Sequence, residues 1–242
     1  MHKYANPAQF NRLADRLLPW IKGLLILTLS YGLYSSIFIA PEDYQQSATS
    51  RIMFIHVPSA WMSMLVYMVM ATASFTALVW KHPLAYLGAK SAAPIGALFT
   101  AAALLTGALW GKPTWGTYWM WDGRMTSVLV LFFLYLGYMA IWSTMDDEEK
   151  AGKASSILAL VGVINIPIIK FSVDWWNGLH QGASIMKAKG PSMPSEMWVT
   201  LFIMFFAFQF YFALMFLWRM KTEINAKKIA AYRQARIAEE SR

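Results

Sequence analysis

Two of the four histidines, His56 and His180, lie where an imidazole could serve as a ligand. His56 falls at the edge of an apolar block, His180 precedes another, and the tryptophan-rich stretch WGTYWMWDG at residues 115–123 comes between them. Placing an ionisable group at the edge of an apolar helix is costly, so a functional role is the first hypothesis there. His2 and His82 lie among polar residues near the opposite ends of apolar blocks, where ordinary solvated histidines are expected.

The chemistry open to this histidine pair is metal ligation, because neutral imidazole nitrogens bind iron, copper and zinc. The chain contains no cysteine, which excludes thiolate ligands, and a closed zinc site would need four protein ligands. Haem iron needs only two axial ligands from the protein, because the porphyrin supplies the rest. The pair therefore favours haem, although each histidine alone is also compatible with an ordinary hydrogen-bonded position at a membrane interface.

A bound haem needs an aromatic surface for its ring and cations for its propionates, and the segments around the two histidines offer both. The aromatic residues are Trp110, Trp115, Tyr118, Trp119, Trp121, Trp175 and Trp176. The cations are Arg51, Lys112 and Arg124. The alternative is an aromatic belt, since tryptophan and tyrosine commonly collect where a membrane meets water.

Asp122 closes the tryptophan-rich stretch, and its role is less obvious. It could orient a tryptophan indole or a histidine, or it could pair with Arg124. A catalytic acid would be expected to have a neighbouring carboxylate, and none is present. We therefore predict that Asp122 supports a ligand from behind, and no catalytic residue is predicted.

The elements that must position these residues are membrane-spanning helices. The chain is 57% hydrophobic and only 14% charged, against about 25% charged for an ordinary soluble domain. Its apolar residues collect in blocks of about 20, the length needed to cross a bilayer. The predicted spans are residues 20–40, 52–80, 91–110, 125–145, 155–171 and 197–218. The fold class is therefore all-α and polytopic, and the first block is expected to be a retained span rather than a cleaved signal peptide.

The distribution of basic residues predicts the orientation. Of the 21 Lys and Arg residues, 15 lie in the two terminal segments and in the loops at residues 81–90 and 146–154. Positive loops stay in the cytoplasm, so both termini are predicted to be cytoplasmic and both candidate histidines to face outward. The net charge of +8 then reflects topology and lipid headgroups rather than nucleic-acid binding. We divide the chain into a six-span domain, residues 1–222, and a basic cytoplasmic tail, residues 223–242.

Three stretches resemble one known family: WGTYWMWDGRMTS from residue 115, RIMFIHVPSAWMS from residue 51 and LHQGASI from residue 179. The first is similar to the tryptophan-rich WWD motif of haem-handling membrane proteins in bacterial cytochrome c maturation. An outward histidine on each side of the motif is also typical of that family. The length and the six spans resemble its haem-delivery branch rather than the larger haem lyase, and the resemblance covers nearly the whole chain.

The resemblance implies a non-covalently held b-type haem on the periplasmic side of the inner membrane. His56 and His180 would be its axial ligands, and the cations facing its propionates would be Arg51 and Arg124. The platform under the haem would be formed by Trp115, Trp119, Trp121 and Asp122. The implied partners are an ATP-binding cassette transporter pair, a small single-span membrane subunit and a periplasmic haem chaperone. Whether the chain catalyses covalent attachment to that chaperone or only positions haem for it stays open.

Two other functions are considered. A transporter subunit moving haem across the bilayer would be expected to contain buried charge or paired broken helices, and the predicted spans contain almost no buried charge and no paired broken helices. A cytochrome b-like electron carrier would ordinarily hold histidines inside facing helices, often for two haems, whereas this chain offers a single outward pair. A polar cavity open to the cytoplasm would favour the first, and a reduction potential coupled to a quinone would favour the second.

Overall fold

A computed structural model describes residues 6–176, 178–180 and 193–240. The regular structure of these residues is helical, with a short π-helical turn at Ser35–Ile39 and 3₁₀ turns at Ala48–Ile52 and Gly162–Ile164. The α-helices are α1 (Pro7–Tyr34), α2 (Met53–Trp80), α3 (Pro83–Trp115), α4 (Gly123–Thr144), α5 (Glu148–Val161), α6 (Asn165–Trp175) and α7 (Ser195–Glu240).

Six helical segments are long and apolar enough to cross a membrane, which confirms the predicted all-α polytopic fold class. They are Pro7–Ile39, Ala48–Trp80, Pro83–Trp115, Gly123–Thr144, Glu148–Trp175 and Ser195–Glu240. Most extend beyond the predicted apolar blocks, because hydropathy marks only the part of a helix that matches the hydrocarbon core. The first helix, for example, begins at Pro7, where the Asn6 side chain accepts a hydrogen bond from the Ala8 amide at 2.9 Å.

The core lies among α2, α3, α4 and α5, and three fully buried tyrosines, Tyr67, Tyr135 and Tyr138, belong to it. The Tyr135 hydroxyl donates to the carbonyl of Ser63 at 2.8 Å, and its ring lies directly over Gly96. The Tyr67 hydroxyl lies directly against Gly162, and the Tyr67 and Tyr135 rings meet edge to face with centroids 5.2 Å apart. Glycine allows this close approach because any β-carbon at either position would overlap the tyrosine.

Helix α7 joins the remaining elements to this core. It packs along α1, where Thr200 and Ser35 share a buried hydrogen bond of 2.6 Å, and Phe208 stacks on Phe99 of α3 at 5.7 Å. The helix continues without a break through the basic tail, and residues 225–240 are exposed. Ion pairs from Lys90 of α3 to Glu223 and from Glu148 of α5 to Lys227, each 2.9 Å long, connect the beginning of the tail to the bundle.

Two helix boundaries shape the end of the bundle that carries the candidate site. Gly116 adopts a left-handed conformation with φ 79° and ends α3 directly after Trp115, which turns the chain into the tryptophan-rich loop. Glycine is suited to this position because it has no β-carbon to strain a positive φ. Asp122 ends the loop as the N-cap of α4, and its carboxylate accepts from the Met125 amide at 2.7 Å.

Candidate functional site

His56 lies in the first turn of α2 and is fixed against one face of α3. Its Nδ1 is 3.1 Å from the hydroxyl oxygen of Thr106, and its ring meets the edge of Trp110 at a centroid distance of 5.6 Å. Gly107 leaves room for the imidazole, because a β-carbon there would lie 2.9 Å from His56 Cε1. Trp110 is itself held by a 2.9 Å hydrogen bond from its indole nitrogen to Gln46. Contacts from one face of α3 therefore set the orientation of His56, and Gln46 holds one of these contact residues, Trp110, in place.

His180 follows α6 and is held by the residue that caps α4. Its Nδ1 is 2.8 Å from Asp122 Oδ2, while the other oxygen of that carboxylate accepts from the Met125 amide. The Asp122 side chain is only 5% exposed, so this contact is shielded from water. The ring of Trp115 meets the His180 ring at 4.9 Å and 64°. Asp122 thus caps the start of α4 and orients a histidine with the same side chain.

Both histidines use Nδ1 for these contacts, so within the described ranges Nε2 of each ring is open to a ligand. A carboxylate behind Nδ1 is typical of metal-ligating histidines, because it fixes the tautomer and the ring orientation. Burial lowers the pKa of His180 below its ordinary value, and Arg124 lowers it further, while the hydrogen bond that His180 donates to Asp122 opposes this shift. The result favours the neutral imidazole that metal binding requires.

The tryptophans of the loop at residues 115–122 do not form one flat surface. Trp115 faces His180, Trp119 is half-buried, and Trp121 is 77% exposed with its ring 5.3 Å from that of Trp119 at 75°. The indole nitrogen of Trp119 is buried and has no hydrogen-bond partner within the described ranges. A buried indole N–H usually finds an acceptor, so this donor is suited to an oxygen from outside the chain.

Three of the other predicted aromatic residues, Tyr118, Trp175 and Trp176, surround the site without a ring contact to either histidine among the described residues, whereas Trp110 meets His56. Trp175 stacks on Phe171 at 5.6 Å, and Trp176 packs against Gly123, where a β-carbon would approach its ring to 2.8 Å. Both indoles are about half exposed. Tyr118 carries the ammonium of Lys112 over its ring at 5.2 Å. These residues form an exposed aromatic rim beside the candidate site.

The three predicted cations differ in how strongly they are already engaged. Arg124 makes long contacts of 3.4 Å to the Ser172 hydroxyl and 3.5 Å to the Lys170 carbonyl. Arg51 faces Glu42 at 3.6 Å, and its buried Nε has no hydrogen-bond partner among the residues that the structure describes. The Lys112 ammonium donates to the Gly116 carbonyl at 3.0 Å, which ties it to the end of α3. Arg124 and Arg51 therefore keep donors available to an anionic group.

Sequence reasoning missed three residues at this site: Thr106, Gly107 and Gln46. Thr106 and Gly107 interrupt an apolar span, which was the available signal, but a threonine or a glycine in a span most often serves helix packing. Gln46 lies in a polar loop and gave no signal. Of the predicted stretch at residues 179–185, Leu179 and His180 are described, and residues 181–185 lie outside the described residues.

The arrangement fits haem better than a metal held by protein ligands alone. No group of three or more His, Cys, Asp or Glu side chains that could hold a metal ion occurs among the residues described. Haem requires two axial imidazoles, apolar aromatic surface and donors for carboxylates. The residues present supply each of these, including the two unpartnered buried donors Arg51 Nε and Trp119 Nε1.

Comparison with known proteins decides the family. The family model described as heme exporter protein C matches residues 1–235. The chain belongs to the heme exporter protein C family. It is 54% identical to heme exporter protein C of Bradyrhizobium diazoefficiens over 225 residues, which cover 93% of this chain and 85% of the relative. It is 45% identical to heme exporter protein C of Escherichia coli strain K12 over 203 residues, which cover 84% and 83% of the two chains.

A relative in Marchantia polymorpha, named as a ccmC-like mitochondrial protein of cytochrome c biosynthesis, is 49% identical over 186 residues, which cover 77% of this chain and 78% of the relative. The family resemblance predicted from the tryptophan-rich motif is thereby confirmed. With six helices long and apolar enough to cross a membrane in the part of the chain that the structure describes, the protein is a multi-pass inner-membrane protein of a family that handles haem for cytochrome c maturation. Its orientation and its ligand residues stay predictions.

Proposed function

We propose that this protein binds haem at the periplasmic face of the inner membrane and delivers it to a periplasmic haem chaperone during cytochrome c maturation. The observation that carries the proposal is that each of the two histidines is held through Nδ1 by a side-chain oxygen. Asp122 holds His180 through Nδ1 and Thr106 holds His56 through Nδ1, so both rings can present Nε2 to iron. The names of the relatives, which refer to haem export and cytochrome c biosynthesis, support the same function.

Each part of the site has a task in this proposal. His56 and His180 occupy both axial positions, which leaves haem iron, when bound, no open coordination position and suppresses its reaction with oxygen. Arg51 and Arg124 offer N–H donors to the propionates. Trp115 covers one histidine, while the exposed Trp121 offers a surface to the chaperone. Delivery then requires one imidazole to leave the iron, or to be displaced, as haem departs.

The packing of the core disfavours a path for haem through this chain. Tyr67 and Tyr135 lie directly against Gly162 and Gly96 at the centre of the α2–α5 bundle and fill it. We therefore place any transport across the bilayer in the partners, an ATP-binding cassette transporter pair and a small single-span subunit. The electron-carrier alternative has no second histidine pair inside the described helices to support it.

The proposed orientation is open to a direct test, because the natural chain has no cysteine. We expect a single cysteine in place of Tyr44, which is 89% exposed in the loop before α2, to react with a membrane-impermeant maleimide in intact spheroplasts. A cysteine in place of Tyr232, 77% exposed in the tail, should react only after lysis. The reverse pattern would put the candidate site on the cytoplasmic side and contradict the proposal.

Haem binding is tested by the absorption spectrum of the native protein purified from membranes. We expect a six-coordinate, low-spin spectrum with about one haem per chain, because two histidines supply the axial positions of one iron. The haem should be extractable with acidified acetone, since the chain has no cysteine for a thioether bond. Co-expression of the periplasmic chaperone should lower the haem retained on this chain and leave haem on the chaperone. A native protein that carries no low-spin haem with or without the chaperone would overturn the proposal.

A further inference from the structure

The hydroxyl of Thr106 offers an acceptor to the Nδ1 proton of His56 and so favours the tautomer that carries its proton on Nδ1. A threonine hydroxyl has one proton to donate and two lone pairs that accept. Thr106 Oγ1 lies 2.6 Å from the carbonyl of Ala102, one turn earlier in α3, and donates its proton there. Only lone pairs then remain for His56 Nδ1 at 3.1 Å, so the bond runs from the Nδ1 proton to the hydroxyl oxygen. His56 is thereby held with a proton on Nδ1 and a free lone pair on Nε2.

We propose that Thr106 is a positioning residue that keeps His56 in the iron-binding tautomer and orientation. The inference rests on the proposed haem-binding function and adds a residue to it. The threonine rotamer is restrained by its own helix, because the hydroxyl proton faces the carbonyls of Ala102 at 2.6 Å and Ala103 at 3.4 Å. Thr106 acts through His56 and does not touch haem itself.

The local packing of α3 is arranged around this contact. Thr106 and Trp110 are four residues apart, so they lie on the same helix face and both meet the His56 ring. Gly107 gives the ring its space, since a β-carbon would approach Cε1 to 2.9 Å. The hydrogen bond from Trp110 to Gln46 fixes the position of the Trp110 ring beside His56. The imidazole is therefore restrained in rotation as well as in protonation.

The two histidines are supported by different chemistry for a physical reason. His180 lies outside the spans and is held by the carboxylate of Asp122, whereas His56 lies within a membrane-spanning segment. A carboxylate facing α2 from inside an apolar helix would be costly in a bilayer. A hydroxyl that also bonds its own helix supplies the acceptor without placing a charge there. Thr106 is thus the neutral counterpart of Asp122.

The substitution Thr106→Val tests this role, because valine keeps the branched shape and removes the acceptor. We expect about tenfold weaker haem binding, the lower end of the range for the loss of such a supporting group. A fraction of the haem should become high-spin, and added imidazole should return it to low-spin. Thr106→Ser restores a hydroxyl and should restore the native spectrum and affinity. Thr100→Val is the matched control, since Thr100 is buried in the same helix and bonds the carbonyl of Gly96 without contacting either histidine.

The experiment is read by haem titration and spin state in all three variants, with His56→Gly measured beside them. If His56→Gly disturbs the spectrum and Thr106→Val matches the native protein, the role of Thr106 is wrong and the haem-binding function stands. If Thr106→Val and Thr100→Val weaken binding equally, Thr106 has only a packing role and the inference fails. If none of the substitutions, His56→Gly included, changes the spectrum, the proposed function itself is wrong.

Discussion

Replacement of either His56 or His180 by glycine is expected to abolish the six-coordinate, low-spin haem spectrum. Each substitution removes one of two axial ligands, so the iron becomes five-coordinate and haem retained through purification should fall about tenfold or more. Glycine also leaves a space into which free imidazole can diffuse, and millimolar imidazole should restore the low-spin spectrum in both variants. The measurement is the absorption spectrum and the haem content of the purified proteins.

His82→Gly is the matched control for these substitutions. His82 lies at the opposite end of the bundle. It is the N-cap residue of α3, and its side chain makes no capping hydrogen bond to that helix. Its replacement should leave the haem spectrum unchanged. A spectrum that neither His56→Gly nor His180→Gly changes would contradict the ligand assignment. The tryptophan-rich loop would then be interpreted as an interfacial or protein-docking surface.

The substitution Asp122→Asn is expected to weaken haem binding by about 10- to 100-fold, the usual cost of losing the group behind a metal-ligating histidine. Asparagine is a good N-cap, so its amide oxygen can still accept from the Met125 amide and start α4. Its NH₂ group cannot accept the Nδ1 proton of His180, so the iron-binding tautomer loses its support. The variant therefore separates the two tasks of Asp122, and its readouts are haem titration and spin state.

The pH dependence of haem binding by Asp122→Asn distinguishes two causes of weaker binding: loss of the orientation of His180 and protonation of its imidazole. In the native chain burial lowers the pKa of His180 and the Asp122 hydrogen bond raises it, so removing the carboxylate lowers the pKa further. His180 then stays neutral down to a lower pH than before. Raising the pH should consequently not restore haem binding, whereas free imidazole should. Recovery at alkaline pH would contradict the assigned role of Asp122.

Asp147→Asn provides the control for the capping function. Asp147 caps α5 through the amides of Glu149 and Lys150 at 2.9 and 3.1 Å and contacts no histidine. This substitution should alter neither haem affinity nor spin state. If Asp147→Asn lowered haem binding as much as Asp122→Asn, the effect would lie in helix stability rather than in the orientation of His180.

The sequence by itself determined the fold class and the set of candidate residues. Crossing a bilayer requires about 20 apolar residues in succession, so the spans can be identified and counted from the sequence alone. Hydropathy gave the positions of the spans but underestimated the helices, because their backbone hydrogen bonds continue through polar segments such as residues 7–19 and 223–240. His56, His180 and Asp122 stood out because polar residues at the edges of apolar blocks are costly.

Only the tertiary structure decided which of these residues support one another. The sequence left Asp122 with a tryptophan, a histidine or Arg124 as its partner, and the packing of α4 against the segment after α6 selected His180. It gave no reason to connect His56 with Thr106, which lies 50 residues away on α3. It also treated the tryptophans as a single platform, whereas Trp115, at the end of α3, faces His180 and Trp121 is exposed. Such contacts depend on how helices pack in three dimensions, and a pattern of residue types along the chain carries no distances between helices.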